Sequence, residues 1–298
     1  MRLLRRWRAA LVVAAIPLLL AGCATEDSTT PTSSASPTSV DRDAALAAKV
    51  PADIRARGKL IVGTAIPYRP SVFLGADGKP TGFEVEVVDA VGKILGLTPG
   101  YVNTDFASII PGVAAGTYDL GMRSIFDTKD REKQVDMVTY FSGGTQWVRR
   151  ADDGVDPNDA CGKKVGVENG TVQATTEIPA KSQSCTVTGD PPITATGFGT
   201  LDDALAALKD RRVQAVSSDS LAVSYAVAQS ANALATAGAP FDTEPYALAI
   251  RKGSELAKPL QAALQKLIDT GTMRAIAHKW GLDSGLVTAS QINGATSS

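Results

Sequence analysis

The residues best suited to polar recognition are an arginine, a Gly-Thr pair and an aspartate. Arg131 stands in Thr128-Lys129-Asp130-Arg131. Its planar fork can donate two parallel hydrogen bonds to a carboxylate, which lysine cannot imitate. Flanked by charges, it also reads as a solvated helix arginine. Gly170-Thr171 separates the apolar run Val165–Val167 from a helical stretch. A helix N-terminus offers unpaired N–H groups and a positive dipole end to an anion, and a plain N-cap threonine has the same signature. Asp219 ends a further apolar run, where open α/β sheets hold ligands. It could equally cap the helix beginning near Ser220.

Other chemistries are poorly provided for. One histidine and three cysteines exclude an HExxH site and a Cys₄ or Cys₂His₂ zinc site. Neither SxxK nor GxSxG occurs. His278, in Ala277-His278-Lys279-Trp280, reads as a packing or surface residue. No cofactor, no metal and no catalytic residue are expected.

The 298 residues suffice for one large domain or two modest ones. A hydrophobic fraction of 44% and a charged fraction of 20% are ordinary for a globular chain. Formal net charge is −1, yet Arg2, Arg5, Arg6 and Arg8 fall in the first 22 residues, which hold no acid. The remainder is therefore mildly acidic and lacks the electrostatic footprint of a nucleic-acid binder.

That basic start is followed by the apolar run Ala9–Leu20, too short to span a bilayer comfortably and the length of a signal h-region. It ends in Leu20-Ala21-Gly22-Cys23, which resembles the lipobox of a bacterial lipoprotein signal. The resemblance implies a signal peptide over 1–22 and lipidation of Cys23, anchoring the protein to the outer face of the cytoplasmic membrane. An ordinary signal peptide with an accidental cysteine is the alternative. The next stretch, ATEDSTTPTSSASPTSVDR, is rich in Ser, Thr and Pro and cannot bury enough surface to order itself, so 23–50 is expected to be anchor and linker. In an exported body, Cys161 and Cys185 are expected to form a disulfide.

From Lys59 onward, short apolar runs alternate with helical stretches. Leu60–Val62, Asp119–Ser124, Lys164–Val167 and Val213–Val216 read as strands. Glu84–Leu95 carries Val85, Val88, Val91, Ile94 and Leu95 at helical spacing and stops at Gly96. Ile109–Ala115, Leu201–Leu208 behind Thr200, Leu221–Ala228, Glu255–Asp269 and Met273–Trp280 read as further helices, with Tyr246–Ile250 extended. Asp127 is expected to cap a helix beginning at Thr128, and another helix begins at Thr171. The alternation argues for an α/β fold with parallel sheets covered on both faces.

Several stretches carry a more specific likeness. GKLIVGTAIPYRP, DGKPTGFEVEVVDAVGKILGL and GVAAGTYDLGMRSIFDTKDREKQVDMVTYF lie in the first half. CGKKVGVENGTVQ, RVQAVSSDS and EPYALAIRKGSEL…LIDTGTMRAIAHKWGL follow in the second. In this order they resemble the extracellular solute-binding proteins, family 3, of amino-acid ABC transporters. The resemblance implies the two-lobed type II periplasmic-binding-protein fold. Residues 51–145 and 246–285 would form one lobe, 146–245 the other, and 286–298 a disordered tail. It implies a monomeric receptor that binds a free amino acid and hands it to an ABC permease.

It also implies residue roles. Arg131 would grip the α-carboxylate, with Gly170 and Thr171 adding contacts from the second lobe, and Asp219 would meet the α-ammonium. Tyr68 and Phe106 would sandwich the ligand, and Ser124 would touch it. Two positions depart from the pattern. Phe126 replaces a hydroxyl residue that supports the carboxylate. Arg123 stands where a small residue is usual; it could attract an acidic side chain or be a surface charge. Ala65 replaces an acid found in relatives that take basic amino acids. Glutamate or glutamine is therefore the expected ligand. An exported dehydratase acting on prephenate or arogenate, with Glu168 or Asp127 as acid–base group, is one alternative, and a ligand-sensing module is another.

Overall fold

A computed structural model of the chain describes residues 40–296. The expected signal segment, Cys23 and the first part of the linker lie outside the described residues. Among the described residues no helix is long and apolar enough to cross a membrane.

In chain order the first elements are α1 (Ala44–Ala47), α2 (Ala52–Arg57), β1 (Lys59–Thr64), β2 (Phe73–Leu74), β3 (Pro80–Thr81) and α3 (Phe83–Leu95). Next come β4 (Thr98–Asn103), α4 (Phe106–Ala114), β5 (Leu120–Phe126), α5 (Lys129–Glu132) and β6 (Val135–Arg150). Then follow β7 (Lys164–Glu168), α6 (Ile178–Val187), β8 (Thr194–Phe198), α7 (Leu201–Lys209), β9 (Ala215–Asp219) and α8 (Ser220–Ala228). The last are β10 (Leu234–Arg251), α9 (Ala257–Asp269) and α10 (Thr272–Trp280).

Eight strands form one curled sheet in the order β4-β1-β5-β10-β6-β9-β7-β8. Each end is a parallel trio: β4, β1 and β5 at one, β9, β7 and β8 at the other. Between them run two long antiparallel strands, β6 of 16 residues and β10 of 18. β10 pairs with β5 through Tyr246–Ala249 and β6 pairs with β9 through Thr145–Arg149, while the two pair with each other, so both pass from one half of the sheet to the other. The architecture is the expected two-lobed α/β fold, and the chain crosses between the lobes inside these two strands.

Helix placement follows the apolar spacing. On α3 the residues Val85, Val88, Val91, Ile94 and Leu95 are buried, and Gly96 ends the helix in the left-handed region at φ +68°. On α9 the residues Leu260, Leu264 and Leu267 are buried against the same core. Edge strands β4 and β8 carry no clean apolar alternation, being partly exposed along their length, and went unanticipated. Thr128, not Asp127, caps α5: its hydroxyl accepts from the Arg131 N–H. Asp127 is instead fully buried and accepts from the Gly294 N–H at 2.8 Å.

That last bond belongs to a segment expected to be disordered. Residues 286–296 instead run along β6. Thr139 and Gln291 exchange bonds, the Ser290 hydroxyl donates to the Thr139 carbonyl, and Asn293 donates to the Met137 carbonyl. Low apolar content concealed this, because the segment is held by polar contacts to a strand already in place.

Cys161 and Cys185 are joined by a disulfide. Closing a loop of 24 residues constrains the unfolded chain by about 3 kcal/mol. Replacing both cysteines with serine is expected to lower unfolding stability by about that amount in chemical denaturation. An unchanged midpoint and slope would mean that the bridge contributes nothing.

Candidate functional site

The residues expected to touch a ligand sit near or just beyond the carboxyl ends of parallel strands, where side chains from several strands converge. Tyr68 follows β1, Phe106 opens α4 after β4, and Arg123 and Ser124 lie near the end of β5. Arg131 is on α5, Gly170 and Thr171 follow β7, and Asp219 is the last residue of β9. The first five come from one half of the sheet and the last three from the other, so their meeting joins the two lobes.

Side-chain contacts at this cluster cross between the lobes. The Tyr68 hydroxyl donates to Asp219 Oδ2 at 2.5 Å. The Arg123 guanidinium pairs with the Glu168 carboxylate. Arg131 donates to the Gly170 carbonyl at 3.3 Å and to the Phe126 carbonyl at 2.8 Å. Gly170 has φ +80° and lies so close to Ala107 that an added Cβ would come within 2.8 Å of the alanine Cβ. A side chain there would hold the lobes apart.

The Thr171 hydroxyl is engaged locally, donating to the Glu168 carbonyl at 2.7 Å. A π-helical turn, Gln173–Glu177, follows it. This turn aims the Gln173 amide at the Thr145 hydroxyl (2.9 Å) and at Asp219 Oδ1 (3.5 Å).

Arg123 is not a surface charge: it is 2% exposed. Its guanidinium carbon lies 3.6 Å from the centroid of the Tyr68 ring and 4.4 Å from that of Phe106. Phe126 supplies no hydroxyl; its ring packs on Tyr246 at 4.9 Å and its carbonyl holds Arg131. Ser124 adopts φ +46°, a left-handed conformation uncommon for serine. It points its N–H at both Glu84 oxygens, at 2.9 and 2.8 Å. Tyr140 donates to the same carboxylate at 2.5 Å, and the Ser124 and Ser71 hydroxyls lie 2.8 Å apart.

Glu84, Gln173 and Ser71 escaped the sequence reading, and Glu168 entered it only as an acid–base group of an enzyme. Glu84 occupies the first turn of α3, where an acid ordinarily reads as a dipole partner.

Burial dominates the electrostatics. It raises the Asp219 pKa to about 7, against the lowering influence of the Tyr68 hydroxyl, Arg123 and Arg131. It lowers the Arg131 pKa to about 10, with Arg123 adding to the effect and Asp219 opposing it. Glu168 is likewise raised by burial, against the pull of Arg123. Arg131 therefore remains a cation at neutral pH, while Asp219 is poised between its two forms.

Beside this cluster opens a cleft of about 550 Å³, a size typical of small-molecule sites. Phe106, Ile110, Pro111 and Val172 give it apolar walls, and Arg131, Thr145 and Gly170 reach it from the cluster. Among the described residues no group of histidines, cysteines and acids could hold a metal ion. The arrangement can bind a small zwitterion: a guanidinium fork for a carboxylate, an aspartate for an ammonium, and rings for the carbons.

The profile of the bacterial extracellular solute-binding proteins, family 3, matches residues 60–283. The arginine-binding protein ArgT of Corynebacterium glutamicum is 33% identical over 248 residues, covering 83% of this chain and 82% of its own. The L-cystine-binding protein TcyJ of Escherichia coli strain K12 is 30% identical, covering 76% and 84%. Among solved structures, an ancestral arginine-binding protein bound to glutamine superposes with a TM-score of 0.69 at 32% identity, covering 76% of this chain and 99% of that one. With the fold and these relatives in agreement, the chain belongs to the bacterial extracellular solute-binding proteins, family 3.

Proposed function

We infer that this protein is a lipid-anchored, monomeric receptor on the outer face of the cytoplasmic membrane. It captures a polar amino acid and delivers it to an ABC permease. Residues 51–145 with 246–285 act as one lobe and 146–245 as the other, with β6 and β10 as the hinge around which they close, a switching mode of periplasmic binding proteins.

The observation that carries this reading is the convergence of side chains from both lobes, where Arg131 reaches Gly170 and Tyr68 reaches Asp219, beside a cleft that Arg131 and Gly170 line. Arg131 takes the α-carboxylate; two of its five N–H donors are engaged by carbonyls, leaving three. Asp219 takes the α-ammonium. The ligand class follows from charge balance. Within the cluster Arg123 is matched by Glu168 and Arg131 faces Asp219, and the cleft beside it adds the acids Asp130, Glu177, Asp242 and Glu244, so a ligand without net negative charge is favoured. Glutamine satisfies this better than glutamate, and relatives named for arginine and cystine, with an arginine-binding neighbour bound to glutamine, keep the ligand among amino acids.

Calorimetric titration of the full chain in detergent with each of the twenty amino acids tests the reading. Bound ligand is first removed by unfolding and refolding with the disulfide intact. One tight, saturable amino acid is the expected result; silence from all twenty in folded protein discards it.

An enzyme on this scaffold is the second reading, favoured by one neighbour. The ancestral amino acid-binding protein AncCDT-1, a precursor of cyclohexadienyl dehydratase, superposes with a TM-score of 0.67 at 27% identity. The two acid–base groups open to such a reaction are both engaged here, Glu168 by Arg123 and Asp127 by the Gly294 N–H. Turnover of prephenate or arogenate by the purified chain would favour it.

A further inference from the structure

Arg123 sits in a fully formed cation slot. Its guanidinium lies between the faces of Tyr68 and Phe106, the arrangement in which aromatic rings attract a cation most strongly. A carboxylate from the opposite lobe, Glu168, closes the slot. The group is as buried as any core residue, and its Nε has no hydrogen-bond partner. An unpaired buried donor on a charged group is unfavourable. It is tolerated where the guanidinium is held by rings and one carboxylate rather than by a full set of acceptors.

We propose that Arg123 is a specificity-determining residue: the chain's own arginine fills the slot that the side chain of a cationic ligand would take, and so excludes arginine and lysine. This rests on the amino-acid receptor reading and narrows its ligand class to amino acids without net positive charge.

Two arguments support it. The first is space. The slot demonstrably fits a guanidinium, because one is seated in it, and two such groups cannot share two ring faces and one carboxylate. The second is charge. Arg123 already pairs with Glu168, the carboxylate that closes the slot, so a ligand cation brought between the two rings would meet a like charge instead of a free counter-ion. Proteins discriminate by such repulsive elements as much as by attractive contacts.

Removing the Arg123 side chain should convert the slot into a site. In Arg123→Ser the two rings and Glu168 remain, the carboxylate loses its partner, and the volume of an arginine side chain is freed. Arginine affinity is then expected to rise by about a hundredfold or more over the unaltered chain, the scale set by a buried carboxylate left without its counter-charge. The double variant Arg123→Ser with Glu168→Gln removes that carboxylate and is expected to lose the gain. Arg123→Met refills the space without charge and is expected to show none.

The experiment is calorimetric titration of the full chain and these variants in detergent with L-arginine, L-lysine and L-glutamine, with circular dichroism to report folding. Weak or absent arginine binding by the unaltered chain, a gain in R123S and its loss in the double variant support the proposal. Folded R123S with no gain overturns it. Tight binding of arginine or lysine by the unaltered chain also overturns it, whatever the variants do. The receptor reading is judged separately, by whether the unaltered chain binds any amino acid at all.

Discussion

Replacing Arg131 with alanine is expected to weaken amino-acid binding by about two to three orders of magnitude, with the fold retained. The size follows from what the substitution removes. A carboxylate brought into a largely buried site without its cation is left uncompensated, which costs about 3–5 kcal/mol, equivalent to about 100- to 1000-fold or more in affinity. Arg131 is 9% exposed and remains charged at neutral pH, with its pKa lowered by burial to about 10. It is also placed to sense closure, because it donates to Gly170 across the lobes. Arg131→Lys keeps the charge but loses the planar fork, so it should recover only part of the affinity. Titration calorimetry with the ligand identified from the twenty, alongside circular dichroism, checks both variants. Unchanged affinity in folded Arg131→Ala would remove this residue from the carboxylate site.

The second large effect concerns Asp219 and pH. Affinity of the unaltered chain is expected to rise as pH increases from about 5 to about 7 and then level off. Asp219→Asn should lower affinity about 30-fold or more at pH 7.5 and abolish the slope, as expected for loss of one partner in a buried charge pair. The sign follows from linkage. Burial holds the Asp219 pKa at about 7, so below that pH the carboxyl is mostly protonated and offers no charge to an ammonium. A bound ammonium favours the ionised form and pulls the pKa down. Binding below pH 7 therefore releases a proton, and affinity rises by up to about tenfold per pH unit there.

The same raised pKa acts oppositely on the stability of the body alone. This group's contribution is fully present below its ordinary value of 3.8 and is lost as pH rises toward 7. Asp127, also raised to about 7 by burial with Glu132 adding to it, affects stability in the same direction. It lies beneath the C-terminal segment, against Gly294, so Asp219→Asn separates the binding effect from it. Calorimetry in buffers of different ionisation enthalpy counts the released proton. A flat pH profile in the unaltered chain would exclude Asp219 as the ammonium partner.

Legibility differed from element to element for physical reasons. Helix α3 was readable because each of its apolar residues at helical spacing meets the core, and Gly96 closes it with a conformation other residues resist. Strands β1, β5, β7 and β9 announced themselves by apolar runs, since the interior of a parallel sheet is covered on both faces. Asp219 is the last residue of β9 and Thr171 lies just beyond β7, whereas Arg123 and Ser124, inside β5, were legible only through the family resemblance. Strands β4 and β8 did not announce themselves, being edges that keep contact with water. The segment 286–296 looked disordered because its order depends on polar groups of β6 that are far away in the chain.

The sequence by itself determined the class of fold, the order of its elements and the chemical types gathered at the strand ends. These depend on local periodicity, caps and apolar content, all of which act over a few residues. Only the tertiary structure decided where the charges of the site find their partners. Arg123 meets Glu168, Ser124 meets Glu84, and Asp219 meets Tyr68, each across 40 or more positions. Such pairings are selected when chain folding withdraws the groups from water, because a buried charge must then be matched by whatever counter-charge the topology places beside it.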